Sequence, residues 1–244
     1  MTQIIAVINH STVPDIARGL AAYVKAQNVQ FQRDWAPAWK RHREVVVDVQ
    51  CVESDETSMP AGSWPLRFFD DSDQAGVLGY HEVTNGVPDG KVFARTDVKF
   101  GLSPWVTASH EAIELAGDPL GTSVVSTGRG VWYAEEDGDP VEADRYGYLV
   151  EGVRLTDFVL PAWYKPKAKG PYDQRGVLSK PLSLAPGGYC QYFTQGSWHQ
   201  VTAQTVSVAD VSRVWVSTRF GRRVAPAEAA EAAEPVIMPV TPGE

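Results

Sequence analysis

Residues 103–119 read SPWVTASHEAIELAGDP, and this stretch carries the strongest structural signal in the sequence. Ser103 and Pro104 are typical of a helix N-cap and of the first helical turn, and Gly117 is typical of a helix end. The pattern therefore predicts a helix that begins after Ser103 and ends at about Ala116. At about 100° per residue, apolar side chains fill one arc of this helix and polar side chains fill the opposite arc.

The polar face of this helix offers a pattern that is typical of metal-assisted hydrolysis. His110 and Glu114 are four residues apart in the sequence and project side by side, while Glu111 lies at the edge of the same face. In HExxH helices, residues at these two positions hold zinc and the intervening Glu handles the proton of the activated water. Here Glu114 replaces the second histidine. A carboxylate can ligate zinc, but it is a harder ligand, so manganese or calcium is also compatible.

A third metal ligand has to come from outside the helix, and two sources are open. Asp118 follows His110 by eight residues, just beyond the expected helix end. An acidic segment at residues 134–142 contains Glu136, Asp139 and Glu142 at intervals of three, so one or two of them could reach the same cavity. The alternative is an ordinary amphipathic helix beside a solvated acidic loop. The other histidines show no ligand spacing and are expected to be structural or exposed: His10, His42, His81 and His199.

The remaining chain alternates predicted strands with one further helix. A helix is expected from Thr12 or Val13 to about Gln27, and Trp35 and Trp39 are expected in the core. Gly-containing pairs at 85–86 and 89–90 predict turns. Apolar or β-branched runs before the motif predict strands at 3–9, 44–52, 66–69, 77–82 and 91–99. After the motif, strands are predicted at 123–133 with a turn, within 146–164, at 189–194, and at 206–220, where a strand with a short helix is the alternative. Residues 165–188 are expected to form a loop.

Composition excludes several classes of protein. The 244 residues are 43% hydrophobic, which is enough for a substantial core. The net charge is 22 − 30 = −8, and no basic patch is present, so a nucleic-acid partner is not expected. No apolar run approaches the roughly 20 residues that span a bilayer, and the N-terminus lacks the features of a signal peptide. Cys51 and Cys190 are expected to be buried thiols. Residues 1–223 are expected to form one domain, and 224–244 a flexible tail rich in Ala, Glu and Pro.

The helix motif also resembles a family pattern. Residues 109–119 match SHExxExxxDP, a motif of a group of phage and prophage zincin-like proteins related to metallopeptidases. In that group an acidic segment leading into DPVE follows, and it matches residues 136–142 here. Two further segments of the group match Gly152 to Pro161 and Pro186 to Tyr189. The resemblance extends over most of residues 1–200.

This resemblance implies an α+β fold, with a zincin-like mixed sheet, an active-site helix and a β-rich C-terminal part. Residues 91–99 would be the edge strand that pairs with an extended peptide. The family's roles carry over to metal ligation by His110 and Glu114 and to general-base catalysis by Glu111, with Asp118, Glu136 and Asp139 as further candidate ligands. The implied partners are a polypeptide substrate or phage structural proteins. The implied location is the host cytoplasm or the virion.

Three functional hypotheses follow. The first is a metal-dependent peptidase, with zinc as the expected metal and Glu111 as the general base. The second is a non-catalytic virion, structural or accessory protein of a bacteriophage that uses a degenerate zincin scaffold. The third is carbohydrate binding, which the eight Trp and nine Tyr residues suggest. Most of these aromatic residues lie in apolar, strand-like segments, which is more typical of a core.

Overall fold

The computed structural model describes residues 2–40, 48–74, 76–128 and 130–203. Several sequence predictions therefore lie wholly or partly outside the described residues. These are the strand or strand and helix at 206–220, the end of the domain at 223, the tail at 224–244, the first part of the strand at 44–52, one residue of the segment 123–133, and the role of His42. The described chain has a mixed α and β architecture, as expected.

A mixed sheet of five strands forms the first layer of the fold. Its strand order is β2-β1-β3-β5-β4; β1, β2, β3 and β5 run parallel, and β4 runs antiparallel beside β5. The interior strand β1 contains four consecutive buried residues, as a parallel strand covered on both faces requires. The strands span Thr2–Asn9 (β1), Asp48–Ser54 (β2), Trp64–Phe69 (β3), Gly79–Thr84 (β4) and Val87–Phe93 (β5).

Four α-helices accompany this sheet. The prediction for the first helix is confirmed, because α1 begins directly after Val13. The helical path then continues through a π-helical segment, Gln30–Trp35, and places Trp35 and Trp39 in the core, each 1% exposed. Within the described part of the chain, no helix combines the length and the apolar character needed to cross a membrane. The helices span Pro14–Val29 (α1), Ala36–Trp39 (α2), Ala94–Lys99 (α3) and Pro104–Gly117 (α4).

The predicted strand at residues 91–99 is wrong in two respects: its second half is helical, and its first half does not lie at an edge of the sheet. Strand β5 ends at Phe93, and α3 follows at once. Asp97 is fully buried and accepts a hydrogen bond from Thr107 Oγ1, whereas Val98 is 52% exposed. Burial therefore follows helical spacing here and not strand alternation. Because β5 pairs with a strand on each side, it is an interior strand, and β2 and β4 form the edges of the sheet as far as the described residues go.

The two predicted turns before α3 have different outcomes. Asn85 and Gly86 form the β4–β5 turn with φ of 52° and 81°, which confirms the first prediction. The second is wrong, because Gly90 lies inside β5. A Cβ atom at Gly90 would lie 2.7 Å from Leu66 Cδ1 and 2.9 Å from Leu115 Cδ1. The glycine therefore serves the close approach of α4 to the sheet and does not mark a turn.

After α4, the described residues form strands, short 3₁₀ turns and connecting loops. A second, antiparallel sheet has the order β11-β10-β7-β6, and β8 pairs with β9 in a separate hairpin. Only two short strands lie within 146–164, where a longer strand-rich region was expected. The strands span Val124–Gly128 (β6), Val131–Ala134 (β7), Tyr148–Val150 (β8), Val153–Leu155 (β9), Tyr189–Thr194 (β10) and Ser197–Thr202 (β11).

Candidate metal centre

Helix α4 is buried on all sides, which excludes the alternative of an ordinary amphipathic helix with a solvated polar face. Every residue from 106 to 116 is buried, including the polar side chains. The acidic segment 134–142 is also largely buried, which excludes the alternative of a solvated loop. Two contacts hold this segment against the protein. Trp35 Nε1 donates a hydrogen bond of 3.0 Å to Asp137 Oδ2, and Gly138 lies directly against the ring of His110.

His110, Glu114 and Asp139 form the first group of potential metal ligands. His110 Nε2 lies 3.0 Å from Glu114 Oε1 and 3.5 Å from Asp139 Oδ1. Atoms that ligate a tetrahedral zinc ion at about 2.0–2.1 Å lie about 3.3 Å from one another. Within the described residues, neither carboxylate oxygen has a partner at hydrogen-bond geometry. The three atoms therefore converge as ligands of a common cation do.

His81, Glu111 and Glu114 form a second group beside the first. His81 Nδ1 lies 3.5 Å from Glu111 Oε2 and 3.4 Å from Glu114 Oε2. The other ring nitrogen of His81, Nε2, lies 3.1 Å from the backbone carbonyl of Asp118. Because a carbonyl can only accept a hydrogen bond, Nε2 carries a proton. A histidine that ligates metal through one nitrogen commonly donates from the other in this way.

The carboxylates of the first group repel one another when both are ionised. Burial raises the pKa of Asp139, and the charges of Glu114 and Glu136 raise it further, so it lies well above its usual range. Burial lowers the pKa of His110, but the charge of Glu114 and the contact with Asp139 outweigh this effect and raise it overall. Burial alone would raise the pKa of Glu114, yet the charge of His110 holds it well below its usual range. A buried divalent cation would offset this negative charge.

The predicted site residues divide into those that converge and those that do not. His110, Glu114 and Asp139 form one group, and Glu111 joins the second through Glu114. Asp118 has another role, because its Oδ1 accepts hydrogen bonds from the backbone N–H groups of residues 122 and 123. Glu136 is buried and its charge acts on Asp139, but neither group of converging ligand atoms in the described chain includes Glu136 or Asp118.

The segment after residue 185 supports the turn that carries Asp139. A Cβ atom at Gly188 would lie 2.3 Å from the carbonyl oxygen of Pro140, so this glycine permits the two segments to touch. The backbone N–H of Ala185 donates to the same carbonyl at 2.9 Å. Tyr189 is consequently buried beside the centre, where burial and the charges of nearby carboxylates, that of Asp139 first, raise its pKa.

Sequence reasoning missed His81, because it has no fixed spacing to the helix motif. Helix α4 packs against strand β4, and the buried positions of this strand alternate at Gly79 and His81. A Cβ atom at Gly79 would lie 2.8 Å from Thr107 Cγ2 and 3.1 Å from Glu111 Cγ, so the strand and the helix are in close contact. The alternation of the strand gave a signal that His81 points inward, but only the fold shows which side chains it meets.

Comparisons with known proteins leave the chemistry to be judged from the site alone. No protein-family model matches the chain, and no curated protein or solved structure matches it. The donor set of one imidazole nitrogen and two carboxylate oxygens fits zinc or manganese, and it fits calcium less well because of the nitrogen. The residues present therefore suit a divalent metal ion.

Proposed function

We propose that this protein is a metal-dependent hydrolase, with a metal ion held by His110, Glu114 and Asp139 and a peptide bond as its target. The convergence of three buried ligand atoms that make no hydrogen bonds with one another is the observation that carries this proposal. Three protein ligands and one remaining coordination position are typical of catalytic zinc sites. Zinc is the metal we expect, and manganese or calcium is the alternative.

Glu111 is the proposed general base. A zinc ion at this site would supply an activated water by lowering its pKa towards about 7. Glu111 lies on α4 next to His110, and its Oε2 atom has no hydrogen-bond partner within the described residues. This carboxylate oxygen is therefore available to accept a proton from water and to return it to the leaving amine. His81, 3.5 Å from the same oxygen, would fix the orientation of the carboxylate.

The surrounding architecture supports a zincin-like fold as part of this proposal. A mixed sheet carries a helix with the HExxE motif, and the strand beside that helix is the antiparallel edge strand β4. An edge strand offers unpaired backbone groups to an extended polypeptide. An extended peptide substrate paired with β4 would lie beside the strand that carries His81. The role that the resemblance gave to residues 91–99 thus passes to β4.

The burial of the centre favours a second candidate function. His110 is the most exposed of the five converging residues, at only 7%. A site so enclosed is typical of structural metal ions, which stabilise the folded state and need no access for substrate. In that case the protein would be a non-catalytic virion or accessory protein of a phage, and the metal would hold segment 134–142 against α4.

Metal analysis combined with a peptidase assay tests both functions. We would measure the metal content of the purified protein by mass spectrometry, and its cleavage of an unfolded protein substrate. The Glu111→Gln variant should retain at least one equivalent of metal and lose activity by on the order of 10²- to 10⁴-fold, because it removes the general base. The exposed Glu53→Gln variant is the matched control and should behave as the wild type.

The possible outcomes separate the candidates. Bound metal without cleavage in the wild type would contradict the hydrolase and support the structural role. A metal content that is unchanged in His110→Ala would show that no ion depends on His110 and would contradict the proposed ligand set. A wild type that binds no zinc, manganese or calcium, even after reconstitution, would contradict both functions.

A further inference from the structure

We propose that the centre holds two metal ions, with Glu114 as a carboxylate bridge between them. The first ion is that of the proposed function, on which this inference rests. The second would lie between His81, Glu111 and Glu114. Each ion would then have one imidazole nitrogen and two carboxylate oxygens as protein ligands.

The orientation of Glu114 is the first argument for a bridge. Its Oε1 atom lies 3.0 Å from His110 Nε2, and its Oε2 atom lies 3.4 Å from His81 Nδ1. The two oxygens of one carboxylate thus meet two different imidazoles, each at the distance expected between neighbouring ligands of one ion. A carboxylate that binds one ion through each oxygen spans the roughly 3.5–4 Å separation found in two-metal sites.

The placement of His81 against two carboxylates is the second argument. Its Nε2 proton is committed to the carbonyl of Asp118, so in the neutral ring the lone pair of Nδ1 points towards two carboxylate oxygens. Three electron-rich atoms facing one another in a buried space repel each other strongly, because the local dielectric constant is low. A cation between them converts this repulsion into attraction. The competing arrangement is a protonated His81 that forms an ion pair with both carboxylates and binds no second ion.

Glu111 supplies the independent third observation. Its side chain is 95% buried, and Oε2 points into the space between His81 and Glu114 without a hydrogen-bond partner among the described residues. A buried carboxylate oxygen without a donor carries a large desolvation cost unless a cation compensates it. In the two-ion centre Glu111 would bind the second ion through Oε2, and the general-base role that the proposed function gives to this atom would pass to its other oxygen.

Metal stoichiometry distinguishes the two arrangements. We would strip the protein of metal, reconstitute it with zinc, remove loosely bound ions by dialysis, and measure equivalents by mass spectrometry. The wild type should hold about two equivalents, and His81→Gln and Asp139→Asn should each hold about one. The Gln side chain can still donate to the Asp118 carbonyl while it removes the Nδ1 ligand. The surface variant His10→Gln is the matched control and should hold two.

A second variant and a second readout protect the test against a folding defect. If thermal unfolding shows that His81→Gln is not folded, Glu111→Gln removes a ligand of the same ion from a different element. In the protein loaded with Mn²⁺, electron paramagnetic resonance should show the magnetic coupling of two neighbouring ions. Each variant that loses one ion should instead give the spectrum of isolated Mn²⁺.

Each contrary result has a defined meaning. One equivalent in the wild type that is kept in His81→Gln and lost in Asp139→Asn would overturn the bridge and leave the proposed function intact. One equivalent that is lost in both variants would indicate a single ion shared by the two groups and would also overturn the bridge. No bound metal in any form would overturn the bridge and the proposed function together.

Discussion

Replacing Gly138 by Ala should disrupt the metal centre without removing any ligand. A Cβ atom at this position would lie 2.4 Å from His110 Nδ1, 2.7 Å from Cε1 and 3.0 Å from Cγ. Ordinary contacts begin near 3.4 Å, so the ring or the segment that carries Asp139 must move by about 1.0 Å. Metal–ligand distances tolerate only about 0.2 Å. We therefore expect zinc affinity to fall by at least about tenfold, or about 1.4 kcal/mol.

Competition with a chromophoric zinc chelator measures this loss directly. Gly152→Ala is a suitable control because Gly152 has a φ of 83° and no neighbour within 4 Å of its added Cβ atom. This control should lower the free energy of unfolding by about 1 kcal/mol through backbone strain and leave zinc affinity unchanged. If Gly138→Ala bound zinc within twofold of the wild type, segment 134–142 could not be a rigid part of the centre, and Asp139 would lose its assignment as a ligand.

Two further predictions concern the stability of the fold. Burial, and then the charge of Asp173, raise the pKa of Asp157 to about 9. The folded state therefore keeps a proton that the unfolded chain releases near about pH 4. Because of this difference, the free energy of unfolding should fall by up to about 1.4 kcal/mol per pH unit as the pH rises from about 4 to about 9. Urea unfolding across this range should show a weaker dependence in Asp157→Asn, and an equal dependence would contradict the assignment. Trp35→Phe removes the hydrogen bond to the Asp137 carboxylate and should lower the free energy of unfolding in urea by about 1.5–3 kcal/mol. The control Trp163→Phe loses a hydrogen bond to a neutral carbonyl and should lower it by about 0.5–1.5 kcal/mol. Equal losses in the two variants would contradict a charged acceptor for Trp35.

Local sequence signals predicted the elements whose determinants are local. The cap, proline and glycine signals placed both long helices within a few residues of their observed bounds, and Asn85–Gly86 fixed the hairpin turn. These signals work because they reflect backbone preferences that need no distant partner. The relation between His110 and Glu114 was predictable for the same reason, since helical geometry alone places residues four apart on one face.

The errors arose where tertiary packing decides the outcome. Asp89–Gly90 has the composition of a turn, but Gly90 is required where Leu66 and Leu115 approach the strand. The alternation of residues 91–99 suggested a strand, but Asp97 turns inward to accept a hydrogen bond from Thr107. The polar face of α4 was also compatible with an ordinary solvated helix, but segment 134–142 packs against it. In each case a contact between distant segments outweighs a local preference of about 1 kcal/mol.

The composition of the centre is difficult to explain by stability alone. His81, His110, Glu111, Glu114 and Asp139 are each at most 7% exposed, and each would be cheaper to bury as an apolar residue of similar size. The five residues come from a strand, a helix and a loop. None of these elements needs a buried charged side chain to form, so it is the fold that brings the five together. With neutral histidines and three ionised carboxylates, the group has a formal charge of −3. Cation binding would account for both the burial and this charge, whereas an ordinary hydrophobic core would need neither. The number of ions bound by the purified protein is therefore the measurement on which both metal proposals depend.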